Sequence, residues 1–308
     1  MKAAAFRYLR ADSAAHAISL LAEHGGDAKL VAGGQSLVPM MAMRLARPGV
    51  LIDINRIEAL KSLEIGASRV RTGAGTRQRT VEDATELQVR LPLVHRALRW
   101  VGHAQTRNRG TVGGSLVHAD PSAELPLAAL VLGATMTLRS QAGGERRVDA
   151  DAFFLGPMFT AVGETECLTA IDWPVWDEPG VGAAFEETAI RHGDFAIASA
   201  ACQIRVDGDG VCRRAALGAG GVGGTPLAFP ALAQRLTGQR IDATLARAVA
   251  HDAARLCDPG SDIHASADYR RHLAAVLLER VIVAAATAAT AATAVRGEPP
   301  PVMDPDPS

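Results

Sequence analysis

Apolar side chains at Ala14, Ala17, Ile18 and Leu21 fall three and four residues apart, which predicts a helix with one buried stripe. Asp12 or Ser13 stands ahead of it as a cap, and Gly25-Gly26 ends it. An apolar run at 29–32 reads as a buried strand. A helical stretch follows through Met40, Met41 and Leu45, then a second run at 50–53. That order predicts a small βαβ-like unit. From about residue 60 the period shortens to two. Residues 63–65 and 70–72 predict a hairpin turning at Gly66-Ala67-Ser68. Thr80 opens a helix with Glu82 and Asp83 in its first turn, near the positive end of the dipole. A helix is predicted over 91–101, strands on either side of Gln141-Ala142-Gly143-Gly144, a short helix over 150–155 and a strand over 167–171.

Trp173-Pro174 to Pro179-Gly180 reads as a linker. Beyond it, runs at 183–190, 196–206 and 211–217 predict an antiparallel meander, with Asp207-Gly208-Asp209-Gly210 as the last turn. Helices are predicted over 227–237, 242–256 and 268–292, and the proline-rich end predicts disorder. Strands and helices do not alternate strictly, so the expected class is α+β rather than a doubly wound sheet. The expected segments are 1–58, 59–175, 176–292 with a three-stranded antiparallel sheet and helices, and a tail at 293–308.

Composition removes several functions. A net charge of -1 gives no field for nucleic acid or an anionic membrane, and 4% aromatic residues leave few stacking platforms. Lys2, Arg7, Arg10, Asp12 and His16 interrupt any signal-peptide core, so a cytoplasmic location is expected. No apolar run is expected to span a membrane, and the alanine-rich stretch near 282–294 reads as too weakly hydrophobic to insert. Cys167, Cys202, Cys212 and Cys257 include no Cys-x-x-Cys pair, so neither an iron–sulfur cluster nor structural zinc is expected. Cys202 and Cys212 fall on one hairpin, where buried free thiols are expected rather than a bridge. The histidines lack metal-site spacing, and no Gly-x-Ser-x-Gly elbow is present.

Two glycine-rich segments carry the candidate chemistry. Ala32-Gly33-Gly34-Gln35-Ser36-Leu37 follows a strand and enters a helix. Paired glycines let successive N–H groups approach a ligand, and such groups at a helix start make a nest for phosphate oxygens. No lysine completes a Walker loop. Thr111-Val112-Gly113-Gly114-Ser115 repeats the recipe, and the polar run from His118 through Asp120 and Glu124 to Pro126 continues it. Each segment alone reads equally well as a tight turn before a capped helix. Two together suit the single pyrophosphate of a dinucleotide. Gly218-Ala219-Gly220-Gly221-Val222-Gly223 satisfies the Rossmann expression, but a hairpin strand precedes it and Pro226 and Pro230 delay the helix, so it reads as a connector.

With these motifs the chain resembles the FAD-binding medium subunits of molybdenum hydroxylases, including carbon monoxide, nicotine and caffeine dehydrogenases and the flavin domain of xanthine dehydrogenase. The resemblance runs from residue 1 to about 285. It rests on 30–39, on 107–116, on 118–126, and on 191–196 and 262–271. It implies a two-part FAD-binding domain followed by a C-terminal flavoprotein domain. It implies FAD contacts at Ala32, Gly33, Gly34, Gln35, Ser36, Leu37, Thr111, Gly114, Ser115, His118, Asp120 and Glu124. It places the loop of Asp194 and Phe195 near the isoalloxazine. Some relatives carry tyrosine in place of Phe195 and asparagine in place of Ser115. The resemblance further implies a small subunit with [2Fe-2S] clusters and a large subunit with the molybdopterin cofactor, in a dimer of heterotrimers. Electrons would pass from the clusters through FAD to an external acceptor, with no catalytic acid or base in this chain. The rivals are a stand-alone FAD oxidase or reductase and a scaffold that has lost FAD.

Overall fold

The computed structural model describes residues 2–294. Strands Arg7–Arg10 (β1), Ala28–Val31 (β2) and Val50–Asp53 (β3) form a parallel sheet in the order β1-β3-β2. Parallel neighbours need crossovers. Helix Ala14–His24 (α1) and helix Leu37–Ala42 (α2) supply them. Ser13 rather than Asp12 caps α1, accepting the His16 N–H at 3.1 Å. β1 extends the expected βαβ unit. Its sequence, Arg-Tyr-Leu-Arg, has no apolar run, and its strand form comes from pairing with β3.

The next unit contains strands Leu63–Ile65 (β4), Arg69–Gly73 (β5), Thr135–Ser140 (β6), Gly144–Asp149 (β7), Phe154–Gly156 (β8), Phe159–Thr160 (β9) and Cys167–Pro174 (β10). Five of them form a sheet in the order β4-β5-β10-β6-β7, and β8 and β9 pair separately. Its helices are Gln78–Asp83 (α3), Leu87–Arg90 (α4), Pro92–Leu98 (α5), Ala104–Arg109 (α6), Val112–His118 (α7), Glu124–Leu132 (α8) and Ala150–Phe153 (α9). Two expectations change. α3 begins two residues before Thr80, because Arg77 forms a backbone bridge with Thr111 and launches the helix there. The expected linker loses Trp173 and Pro174 to β10, where they pair with Val70 and Arg69 of β5. Trp173 is fully buried, and its indole N–H donates to Thr72 Oγ1 at 3.0 Å.

The last sheet is antiparallel: Val181–Thr188 (β11), Ala198–Val206 (β12), Cys212–Gly220 (β13) and Leu227–Ala228 (β14), in that order. β14 is a fourth strand where helix was expected, and the helix after it is only Pro230–Gln234 (α10). Helices Ala243–Arg255 (α11) and Ala267–Ala294 (α12) cover one face. β11 alternates between two cores: Ala183 and Phe185 join the one built on α5 and α8, and Ala184 joins that of α11 and α12. Contrary to the sequence expectation, α12 is long and apolar enough by length and composition to cross a membrane. In this fold it buries Ala274, Leu277, Leu278, Val281, Ile282, Ala285 and Ala289 in the second core. Residues 293 and 294 belong to α12, and the rest of the predicted tail lies outside the described residues. Cys202 lies opposite Leu217 and Cys212 opposite Val206, so the two do not face each other; all four cysteines are free and buried.

Candidate functional site

A cleft of about 550 Å³ runs between the β2–α2 turn, the α6–α7 segment, the start of α8 and the loop before β12. That volume suits a cofactor. The first wall is the turn after β2. Gly34 takes a positive φ of 70°, which favours glycine. After Gly33 the first backbone N–H to find a carbonyl is that of Val38, which donates to Gly34 O at 3.1 Å. Among the described residues, the amides of Gly34, Gln35, Ser36 and Leu37 therefore have no protein acceptor, and all four residues line the cleft. The Gln35 side chain is spent on its own turn, donating to Gly33 O at 3.1 Å.

The second wall is the start of α7. Thr111 caps it, its hydroxyl accepting the Gly114 N–H at 3.1 Å. Gly113 lets the helix rest on β5's end: a Cβ there would lie 2.5 Å from Ala74 Cβ. The two walls touch. A Cβ on Gly33 would lie 2.8 Å from Gly110 Cα and overlap the Arg109 carbonyl oxygen. Arg107 fixes the approach to this wall with a fork onto Glu82 of α3, at 2.8 and 2.9 Å, and with bonds to the Val101 and Gly102 carbonyls. Burial pushes Glu82 up, and the Arg107 hydrogen bonds reverse this, leaving its pKa below the usual carboxylate value.

Downstream, Asp120 makes a turn: its Oδ1 accepts the Ser122 N–H at 2.8 Å. Glu124 opens α8. Burial, with Asp120's charge adding to it, pushes its carboxyl up to about 7 against its own backbone hydrogen bond. Burial lowers His118, and Asp120 opposes that. Gly193, Asp194 and Phe195 also line the cleft. Gly193 (φ 91°) lies on His103, so close that a Cβ would stand 2.6 Å from its Cε1. This contact sets the loop against α6. Phe195 is 68% exposed and lines the cleft.

The fourteen residues singled out in the sequence, from Ala32 to Phe195, all line this one cleft. Sequence reasoning missed others. Gln78 lines the cleft, is buried, and its Oε1 has no partner among the described residues. It arrives through the Arg77–Thr111 bridge, a long-range pairing with no local signature. Glu166 also lines the cleft, gripped by Arg146 at 2.7 and 2.6 Å, which holds its pKa low. The Rossmann-like glycines lie elsewhere: Gly218 and Gly220 are in antiparallel β13, and Gly221 turns the chain, donating to Pro121 O at 2.8 Å.

Residues 4–176 match the family described as the FAD binding domain in molybdopterin dehydrogenase, and residues 183–285 match the CO dehydrogenase flavoprotein C-terminal domain. The chain is 38% identical over 289 residues to the 6-hydroxypseudooxynicotine dehydrogenase complex subunit alpha of Paenarthrobacter nicotinovorans, covering 92% of this chain and 96% of that one. It is 36% identical to the carbon monoxide dehydrogenase medium chain of Hydrogenophaga pseudoflava, covering 91% and 96%. Among solved structures, the carbon monoxide dehydrogenase of Hydrogenophaga pseudoflava superposes with a TM-score of 0.89 at 35% identity, covering 92% of this chain and 98% of that one. Quinoline 2-oxidoreductase from Pseudomonas putida 86 superposes at 0.88 and 36% identity, covering 94% and 100%.

Proposed function

Because the chain belongs to the family of FAD-binding medium subunits of molybdenum hydroxylases, we propose that its cleft holds FAD with the pyrophosphate between the two glycine walls and the ring toward Asp194 and Phe195. The observation that carries this reading is the backbone contact of Gly33 with Arg109 and Gly110, which sets the two glycine walls side by side along one cleft. The unpaired amides of 34–37 are donors for phosphate oxygens. Across the cleft, Thr111 and Ser115 contribute side-chain hydroxyls and Gly114 a surface without a side chain, the amides of Val112 to Ser115 being donated to Thr76, Ala74 and Thr111. Gln78 Oε1, buried without a donor, suits a hydroxyl of the dinucleotide. Asp120 and Glu124 complete the polar side, with His118 at the end of α7.

When bound, FAD supplies the redox chemistry, accepting electrons from iron–sulfur centres and passing them to an external acceptor. The protein's part is to hold and orient. α2 and α7 aim their first turns, the Arg107–Glu82 fork keeps α6 against α3, and His103 keeps the Asp194–Phe195 loop at the cleft mouth. No group of this chain takes an acid–base role toward the oxidised substrate. The partners are a large subunit with the molybdopterin cofactor and a small subunit with [2Fe-2S] clusters, assembled as a dimer of heterotrimers in the cytoplasm. The medium-chain names of the relatives support the three-subunit arrangement.

The test is to express this chain with and without its two neighbouring subunits. The full chain should carry close to one FAD and oxidise no organic substrate alone. Turnover by the isolated chain would favour a stand-alone flavoenzyme, and failure to take up FAD would sink the assignment of the cleft.

A further inference from the structure

The two glycine walls belong to different folding units, and one side chain spans them. Gly33 follows β2 by two residues. Val31, the last residue of β2, pairs with Asp53 at the end of β3, and the Ile54 N–H donates to Val31 O at 3.1 Å. The end of β3 is thus bonded to the strand that carries the first wall. Asp53 is buried, and its Oδ1 accepts the Asn55 backbone N–H at 2.8 Å and the Asn55 side-chain amide at 2.6 Å. The Tyr8 hydroxyl of β1 donates to its other oxygen. Asn55, fixed in this way, turns its side-chain oxygen to Arg77, whose Nη2 donates to it at 2.8 Å.

Arg77 stands on the second unit. Its backbone bridges Thr111, and on either side the Gln78 N–H donates to Gly110 O at 3.0 Å and the Val112 N–H to Thr76 O at 2.9 Å. Its Nη1 donates to the Arg109 carbonyl. That carbonyl oxygen is the one a side chain on Gly33 would overlap. One guanidinium therefore holds the end of β3, through Asn55, and the carbonyl that meets the first wall. Its planar fork presents both donors in a fixed geometry. The line from Tyr8 through Asp53, Asn55 and Arg77 to Arg109 ends on the contact where the walls meet. Away from it the units share an apolar core, in which Cys167 of β10 joins Ala17, Ile18 and Leu21 of α1. They stay joined there when the line is cut.

We propose that Arg77 is a positioning residue for the cofactor: its hold on Asn55 and on the Arg109 carbonyl sets the gap between the glycine walls before the dinucleotide enters. The inference rests on the reading of the cleft as the FAD site. Neither Arg77 nor Asn55 lines the cleft, so the effect reaches the ligand through the walls. A gap set in advance spares the ligand the cost of ordering them.

The experiment is a titration of the flavin-free full-length chain with FAD, followed by flavin fluorescence, with circular dichroism of every variant. Arg77→Gln should weaken FAD binding about tenfold, the scale of one charge-assisted hydrogen bond. Arg77→Lys keeps the charge but has no fork, and should weaken binding nearly as much. Wild-type affinity in the lysine variant would mean that Arg77 acts by charge alone and would overturn the proposal. Asn55→Ala cuts the far end of the line; it should weaken binding and add nothing further to Arg77→Gln. The decisive comparison is with Gly33→Ala. With Arg77 in place the added methyl meets a held carbonyl, and in Arg77→Gln that carbonyl can yield. The double variant should therefore bind better than the product of the two single losses implies. Should Arg77→Gln not fold, Asn55→Ala paired with Gly33→Ala poses the same question. Losses that multiply would give Arg77 a general structural role and overturn the proposal. Wild-type affinity in either Arg77→Gln or Gly33→Ala would overturn it as well. All these outcomes leave the cleft assignment standing, whereas a wild type that binds no FAD would overturn both.

Discussion

Gly33 and Arg109 are in backbone contact: a side chain on Gly33 would occupy the space of the Arg109 carbonyl oxygen and stand 2.8 Å from Gly110 Cα. The distance between the two glycine walls is set there. Gly33→Ala should push the walls apart and lower FAD content at least about tenfold, a 1 Å misplacement being enough to cost that much at a preorganised site. The fold should persist, because the added methyl points between walls and not into a core. Flavin absorbance per protein, with circular dichroism alongside, reads both. Full FAD occupancy in Gly33→Ala would show that the walls do not grip one ligand.

Thr111 serves two partners. Its hydroxyl caps α7 through the Gly114 N–H at 3.1 Å, and its backbone bridges Arg77. Thr111→Ala removes only the cap and should cost about 1 kcal/mol of stability. Thr111→Ser should restore it. Urea midpoints compare the three proteins, and FAD affinity should follow the same order. An alanine variant as stable as wild type would mean the cap contributes nothing at this site.

The glycine walls were legible because their chemistry is local: paired glycines and a helix start lie within ten residues, after a strand in the first wall. The strands at 167–171 and 196–206 were legible from their apolar runs. What escaped depends on distant pairing. β1 is a strand because β3 accepts it, and Gln78 reaches the cleft because Arg77 meets Thr111. Trp173-Pro174 reads as a linker until Val70 and Arg69 are placed beside it. The Rossmann-like glycines show the converse, since a matching local pattern in an antiparallel strand builds no nucleotide site.

The Arg107–Glu82 fork gives a pH-dependent prediction. The folded-state pKa of Glu82 is depressed, so its contribution is fully present above the ordinary carboxylate value and is lost as pH falls through the folded value. Arg107→Leu strands a partly buried carboxylate and should cost about 3 kcal/mol at neutral pH. Arg79, at 3.2 Å from Glu82, limits the loss. The deficit should shrink as pH falls below about 4 and through the depressed wild-type value, beneath which Glu82 is protonated in both proteins. Chemical denaturation at neutral and acid pH tests this. A deficit unchanged by acid would assign the loss to packing of the arginine stem.

Phe195 separates binding from stability. Its ring lines the cleft but is 68% exposed, so Phe195→Ala removes little buried area. Unfolding free energy should stay within about 0.5 kcal/mol of wild type. Trp173→Ala offers the contrast: that side chain is fully buried and bonded to Thr72, and its loss should cost about 3–5 kcal/mol. If the flavin ring lies at this end, Phe195→Ala should shift the absorbance and fluorescence of the bound cofactor and change electron delivery to an external acceptor, without lowering FAD content much. Phe195→Tyr should alter the spectrum less than alanine, because the ring stays. An unchanged flavin spectrum in Phe195→Ala, at full FAD content, would place the ring elsewhere along the cleft. A loss of more than about 1 kcal/mol would mean that the aromatic ring packs into the fold more than its exposure shows.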